Sequence, residues 1–110
     1  MNMRKIVRSS EVEPVEMLAG VRRRTLACGE KVMIVRVTLD QGVEVPRHSH
    51  PHEQAGYVVA GELTFTIGDE VYRLGPGDSY DAPSGVEHSA TAHSDAVILD
   101  VFSPPREEYR

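Results

Sequence analysis

Residues 42–61 read GVEVPRHSHPHEQAGYVVAG, and this stretch decides the fold and the chemistry that we expect. It contains His48 and His50, which are two residues apart. In an extended strand, that spacing points both imidazoles to one face, where a single ion can bind both. A third histidine, His88, follows in the segment GDSYDAPSGVEHSA (residues 77–90), and a barrel can bring it across from the pair. The three histidines predict a site for one divalent metal ion.

Alternating apolar residues on both sides of this stretch predict further strands. The pattern is clearest in residues 32–39, 63–67 and 97–102, where apolar side chains recur at every second position. Such alternation, with many β-branched residues, is typical of strands. Gly and Pro interrupt the runs, and Gly68-Asp69 and Gly75-Pro76-Gly77 are expected to form sharp turns. The sequence therefore predicts an all-β sandwich or barrel.

One segment near the N-terminus departs from this pattern. Residues 10–19 are predicted to form a short helix, with Ser9 or Ser10 as its cap and with Pro14 limiting its length. The 110 residues suit a single domain. Within it we expect an N-terminal arm over residues 1–19 and a barrel over about residues 20–104.

Composition and charge argue against several classes of partner. The net charge of −5 argues against nucleic acid, because phosphate binding requires a basic surface. The basic run at residues 22–24 is short and is predicted to be a solvated strand face. Cys28 is the only cysteine, so no internal disulfide can form, which fits a reducing cytoplasm. We expect neither a membrane helix nor a secretory signal, and we predict a soluble cytoplasmic protein.

The spacing of the histidines and glycines resembles two motifs of the cupin family. Residues 42–61 fit G-x5-H-x-H-x3-E-x6-G, except that Gln54 stands in place of the glutamate. Residues 77–88 fit G-x5-P-x-G-x2-H, and the asparagine that follows in the family falls at Ala92. The resemblance implies a cupin double-stranded β-helix, or jelly-roll barrel, that holds one divalent metal ion.

The resemblance also implies a set of metal ligands: His48, His50, Gln54 and His88. His52 shares the strand parity of the histidine pair and Glu53 is adjacent, so either could replace Gln54 as the fourth ligand. Three imidazoles and a neutral amide would leave the ion its full divalent charge, which favours Lewis acidity and an anionic substrate. Zinc, nickel, iron, manganese and copper all suit such ligands. His93 lies outside both motifs and is interpreted as an exposed or core histidine.

Asp100 is the main candidate for acid–base chemistry. It lies in the apolar segment VILDVF, where Ile98 and Phe102 share its face, so we expect that face to be interior. A buried carboxylate near a metal is a candidate general acid or base. The alternative is an edge-strand aspartate that caps a turn.

The C-terminal residues 99–109, LDVFSPPREEY, resemble those of the pectin-degradation cupins of the KdgF type, as do the stretches HSHPHEQ and GPGDSY. This resemblance implies an enzyme that linearises 4,5-unsaturated monouronates, with Asp100, Phe102 and Arg106 lining the substrate pocket. On this hypothesis Asp100 moves a proton, Arg106 pairs with the substrate carboxylate through its planar fork, and Phe102 packs on the sugar. Tyr57 and Tyr80 are candidate hydrogen-bond donors.

Two other functions stay open at the level of sequence. A metal-dependent dioxygenase would use the same histidines with iron and oxygen. A non-catalytic cupin would bind a sugar or another metabolite without turnover. The expected partners are a small anionic sugar and a second copy of the chain, paired by strand exchange or sheet pairing. Residues 1–8 are the segment that could supply an exchanged strand.

Overall fold

The computed structural model describes residues 6–110, which form two antiparallel sheets packed as a jelly-roll sandwich. No α-helix occurs within this range, so the predicted all-β class is confirmed. Short 3₁₀ turns lie at Ser9–Glu11 and Glu107–Tyr109. In chain order the strands of these residues are β1 (Val15–Leu18), β2 (Val21–Cys28), β3 (Met33–Leu39), β4 (Glu44–His48), β5 (Glu53–Ala60), β6 (Leu63–Ile67), β7 (Glu70–Leu74), β8 (Ser79–Ala82), β9 (His88–Ala92) and β10 (Ala96–Ser103).

The order of strands explains how residues far apart in sequence meet. One sheet has the order β1-β2-β3-β10-β5-β8, and the other has the order β4-β9-β6-β7. The inward side chains of both sheets form one core, because successive residues of a strand point to opposite faces. Met33, Val35 and Val58 are fully buried there, as are Leu63 and Ala82 on other strands.

The alternation read from the sequence matches the observed faces. In β3, Met33, Val35, Val37 and Leu39 are buried, whereas the residues between them are partly exposed. The turn at Gly68-Asp69 is present as well, because Ile67 pairs with Glu70 and leaves a two-residue loop between β6 and β7. Gly68 has a φ of 58°, a left-handed conformation that glycine adopts without steric cost.

The predicted helix over residues 10–19 is wrong. The structure has a single 3₁₀ turn at Ser9–Glu11 and then strand β1, which pairs antiparallel with β2. Pro14 accounts for the difference, because proline disfavours the helical region for the residue before it and donates no backbone hydrogen bond. The sheet therefore begins within the segment that we expected to be an arm.

The basic run at residues 22–24 is only partly the solvated face that we predicted. Arg22 is paired with Asp40 at 2.8 Å on the outer face. Arg23 points to the opposite face, where its guanidinium carbon lies 4.5 Å from the centroid of the Tyr109 ring. Strand alternation sends the middle residue of the run inward.

Two further expectations concern a membrane helix and the N-terminal segment. Across residues 6–110 the structure has no helix of the length and apolar character that a bilayer crossing requires. The segment proposed for strand exchange, residues 1–8, lies for the most part outside the described residues. Its described part, residues 6–8, is not in a strand.

Candidate metal centre

Two strands of the smaller sheet bring the three histidines together. His48 ends β4 and His88 begins β9, and the two residues are direct cross-strand partners. His50 lies two residues beyond the end of β4. The candidate ligand atoms of the three side chains all lie within 4.8 Å of one another. The ring centroid of His88 is 4.4 Å from that of His48 and 4.9 Å from that of His50.

Each of the three rings is oriented by one hydrogen bond from Nδ1 to a backbone carbonyl. A carbonyl only accepts, so Nδ1 carries the proton and Nε2 keeps its lone pair. Metal-binding histidines are usually oriented in this way. The accepting carbonyls are those of Pro46 for His48 (2.9 Å), His52 for His50 (2.9 Å) and Val86 for His88 (3.0 Å).

The donor atoms that remain fit a divalent cation. Nε2 of His88 is buried and has no hydrogen-bond partner among residues 6–110. Nε2 of His50 lies 3.0 Å from Oε1 of Gln54, so two lone-pair atoms face each other. A buried acceptor without a partner is costly, and a shared cation would satisfy all of these lone pairs.

Burial also favours the protonation state that metal binding requires. Removal from water lowers the pKa of the His88 imidazole to about 4, and neighbouring cationic groups act in the same direction. Burial lowers the pKa of His50 as well. Both rings are therefore neutral at pH 7, which is the form that binds a metal.

Three residues were candidates for the fourth ligand, and the structure separates them. Gln54 is buried beside His50, whereas Glu53 points from the same strand to the exposed outer face. The side chain of His52 lies outside the three-histidine cluster, and its backbone carbonyl accepts the hydrogen bond from His50. Strand alternation thus places Gln54, and not its neighbour, at the cluster.

A cavity of about 80 Å³ adjoins the cluster inside the barrel. Apolar side chains make up most of its wall, which limits the access of water. A site of this kind, apolar with a few convergent polar groups, is typical of ligand and active sites. The polar groups in its lining belong to His48, Gln54, Tyr80, His88, Asp100, Arg106 and Tyr109.

Asp100 is interior, as the alternation of β10 predicted, and it has a specific partner. Only 4% of the residue is exposed, and the Tyr80 hydroxyl donates to its Oδ1 at 2.5 Å. Burial raises the pKa of Asp100 to about 6, while hydrogen bonds from Tyr80 and Gln54 and the charge of Arg106 oppose the rise. The alternative of a turn-capping aspartate on an edge strand does not fit, because β10 lies between β3 and β5.

A glycine makes the contact between Tyr80 and Asp100 possible. Gly56 on β5 is the cross-strand partner of both Asp100 on β10 and Tyr80 on β8. A Cβ atom at Gly56 would lie 2.0 Å from Cζ of Tyr80, so only glycine leaves room for the ring to reach across the strand. The ring also stacks on Phe65, with 3.9 Å between centroids.

Arg106 lines the cavity, and its guanidinium contacts two residues of the same C-terminal segment. Its side chain is 14% exposed, and Nε lies 3.1 Å from a carboxylate oxygen of Glu108. Its Nη1 donates to the hydroxyl of Tyr109 at 3.0 Å, and the guanidinium stacks on that ring. Neither Glu108 nor Tyr109 was identified from the sequence, although both stand in the segment REEY that follows the predicted site residues.

Of the remaining residues considered from the sequence, Phe102 lies at the cavity, whereas Tyr57 and His93 lie outside it. Phe102 is buried, and the edge of its ring packs against His50 with 5.7 Å between centroids. It therefore supports a candidate metal ligand as well as lining the cavity. Tyr57 is 49% exposed on the outer face of the larger sheet and does not reach the cavity. His93 is exposed and lies 2.6 Å from the Thr64 hydroxyl, outside the cluster.

Comparison with known proteins decides the family. The cupin domain model matches residues 35–102, which is more than half of the chain. This chain is a cupin. It is 29% identical to the pectin degradation protein KdgF of Dickeya dadantii, over 97% of this chain and 99% of that protein. The structure of KdgF from a Halomonas species superposes with a TM-score of 0.92 at 32% identity, covering 97% of this cupin and 99% of that chain.

A second solved structure is equally similar to this cupin. An RmlC-like cupin from Shewanella frigidimarina has a TM-score of 0.93 at 30% identity, and the match covers 97% of this chain and 96% of that one.

The structure shows where the two departures from the cupin motifs lie in the fold. Gln54 lies beside the cluster, and Ala92, at the position of the usual asparagine, is 1% exposed in the core.

Proposed function

We propose that this cupin is a metal-dependent enzyme that opens the ring of 4,5-unsaturated monouronates to give 5-keto-4-deoxyuronates. The observation that carries the proposal is the buried Asp100–Tyr80 pair, which shares one cavity with the histidine cluster and Arg106. Similarity to two KdgF proteins over nearly their whole length supports the same chemistry.

The histidine cluster and Gln54 supply the ligands for one divalent ion. Zinc, nickel, iron, manganese and copper all fit three imidazoles and an amide oxygen. When bound, such an ion supplies a Lewis acid that polarises substrate oxygen atoms. Because all four ligands are neutral, the site favours an anionic sugar over a neutral one.

Arg106 is the residue that would bind the substrate carboxylate. Its guanidinium contacts the carboxylate of Glu108 at 3.1 Å, so a substrate carboxylate would compete with Glu108 for Arg106. The cavity of about 80 Å³ is smaller than a pocket that encloses a sugar, for which roughly 300–1,000 Å³ is typical. We therefore expect Arg106 and Tyr109, which line the cavity, to shift when a uronate enters, and Arg106 then exchanges the Glu108 carboxylate for that of the substrate.

This exchange predicts the effect of Glu108→Gln. The variant removes the competing charge, so KM for an unsaturated monouronate should fall about 1.5- to 5-fold with little change in kcat, as expected for an exposed ion pair. Steady-state kinetics measure both constants. Glu107→Gln is the matched control, because Glu107 pairs with Arg110 and not with Arg106. An unchanged or higher KM in Glu108→Gln would contradict the exchange.

Asp100 moves the proton in the proposed reaction. Its carboxylate takes the proton of the anomeric hydroxyl while the bond between C1 and the ring oxygen breaks, which leaves an aldehyde at C1 and an enolate at C5. Asp100 then returns the proton to C4, and C5 becomes a ketone. The reaction is an isomerisation, so it requires no oxidant or reductant. The hydrogen bond from Tyr80 keeps the carboxylate in place between the two transfers.

The test is an assay with a panel of unsaturated monouronates. Turnover removes the double bond conjugated to the carboxylate, so ultraviolet absorbance should fall with the metal-loaded protein faster than without it. Chelation of the metal should stop the reaction, and the metal should restore it. An oxygen electrode distinguishes a dioxygenase, which would consume oxygen. Calorimetric binding of a uronate without any absorbance loss would instead show a non-catalytic cupin.

A further inference from the structure

A second, outer cavity adjoins the inner cavity of the metal centre at Tyr109, whose side chain belongs to the walls of both. The outer cavity is lined by residues 7–15, by strand β2 and by residues 109–110. Its volume is about 510 Å³, whereas the inner cavity has about 80 Å³. Ligand pockets typically have roughly 300–1,000 Å³. A ligand that displaces Tyr109 from the inner cavity therefore finds space for the ring on the outer side.

Arg23 of β2 contacts the same tyrosine from the outer cavity. Its guanidinium carbon lies 4.5 Å from the centroid of the Tyr109 ring, and that of Arg106 lies 4.3 Å from the same centroid. The two guanidinium carbons can therefore be no farther apart than the sum of these distances. Arg23 lines the outer cavity and Arg106 lines the inner one. One aromatic ring thus stabilises two cations that belong to different cavities.

The guanidinium of Arg23 has hydrogen-bonding capacity that the described part of the chain does not use. Nη2 donates to the backbone carbonyl of Glu108 at 3.3 Å, but Nε is buried without a partner among residues 6–110. No carboxylate in that range forms an ion pair with Arg23, although Glu13 lines the same cavity. A buried cationic donor without an acceptor is costly, and an anionic ligand would satisfy it.

We propose that Arg23 is a second residue that binds the substrate carboxylate, beside Arg106. The inference rests on the proposed function, in which Arg106 and Tyr109 shift as the uronate enters. Once the ring of Tyr109 has moved away from the two guanidinium groups, a carboxylate bound to Arg106 comes within reach of Arg23, and the two cavities become one pocket. Two cations at one carboxylate bind an anionic sugar selectively, although the net charge of the protein is −5.

Titration of the zinc-loaded protein with galacturonate, followed by NMR, tests the proposal. Galacturonate carries the carboxylate but lacks the double bond, so it binds without being turned over. Arg23→Met should weaken its binding at least about 10-fold, as expected for loss of a hydrogen bond between charged groups. Arg23→Lys keeps the charge and should retain most of the affinity.

Arg22→Met is the matched control for this titration. It removes the same charge from the adjacent residue, whose side chain pairs with Asp40 on the outer face of the sheet. Its affinity for galacturonate should equal that of the wild type. Circular dichroism and zinc content show that each variant is folded and loaded.

A double-mutant cycle distinguishes direct contact from an effect that passes through Arg106. If Arg23 binds the carboxylate itself, Arg23→Met must weaken binding further in an Arg106→Met background. No further loss there, wild-type affinity in Arg23→Met alone, or a wild type that does not bind galacturonate would overturn the proposal.

The titration and the turnover assay can fail separately. Binding of galacturonate that depends on Arg23, in a protein that does not turn over unsaturated monouronates, would support this inference and reject the proposed reaction. Turnover by Arg23→Met with the wild-type KM would support the reaction and overturn the role of Arg23.

Discussion

Replacing His88 with alanine is expected to weaken binding of the divalent metal severely. Its ring stands nearest to both of the other imidazoles, and no hydrogen-bond partner for its buried Nε2 occurs in the described part of the chain. Loss of one of three imidazoles should weaken metal affinity by at least about 100-fold, more than the effect usual for an outer-shell partner. Isothermal titration with zinc or nickel, and metal content after gel filtration, measure the change.

His93→Ala is the matched control for this experiment. His93 is exposed and contacts Thr64, so its loss removes an imidazole from the chain without touching the cluster. This variant should bind one equivalent of metal with wild-type affinity. Because His88 is buried, circular dichroism must show that His88→Ala keeps its sheets. A folded His88→Ala protein that still binds one equivalent tightly would contradict the assignment.

Replacing Asp100 with asparagine should lower kcat for ring opening by about 10²- to 10⁴-fold, the usual contribution of a general acid–base. Asparagine has the same shape and can still accept the hydrogen bond from Tyr80, but it cannot take a proton at neutral pH. KM should change little, because Arg106 and the metal ligands remain. Loss of the conjugated double bond, followed by ultraviolet absorbance, gives both constants.

Metal content separates a chemical effect of this variant from a structural one. Asp100→Asn should bind the same single equivalent of metal as the wild type, because Asp100 is not among the residues that gather around the cluster. Full activity in the metal-loaded variant would remove Asp100 from the mechanism. Loss of metal together with activity would show instead that the carboxylate supports the cluster.

Much of the fold could be predicted because strand alternation is local. Four inward residues of β3 and the inward position of Asp100 follow from period-two patterning alone. The helix predicted over residues 10–19 failed because its sequence signals were weak and Pro14 favours extended backbone on its N-terminal side. The pairing of β1 with β2 is a tertiary contact, and the four residues of β1 carry too little pattern to predict it.

The gathering of the three histidines was predictable from the sequence, but the contacts that support them were not. The spacing of His48 and His50 is visible within one strand, whereas the bond between Tyr80 and Asp100 depends on a register across three strands. Gly56 is the signal that could have indicated it, because a glycine inside a strand often marks a close approach by a neighbour. The contacts of Arg106 with Glu108 and Tyr109 depend on how the C-terminal segment folds over the barrel.

The proposed function requires three imidazoles to bind one ion. X-ray absorption spectroscopy of the metal-loaded wild type, His48→Ala and His88→Ala proteins tests it most directly. The wild-type spectrum should show three imidazole nitrogens at about 2.0–2.1 Å if the metal is zinc. Each variant that keeps any metal should show one imidazole fewer. A wild-type spectrum with fewer than three imidazoles, or one unchanged by His88→Ala, would contradict the proposed centre.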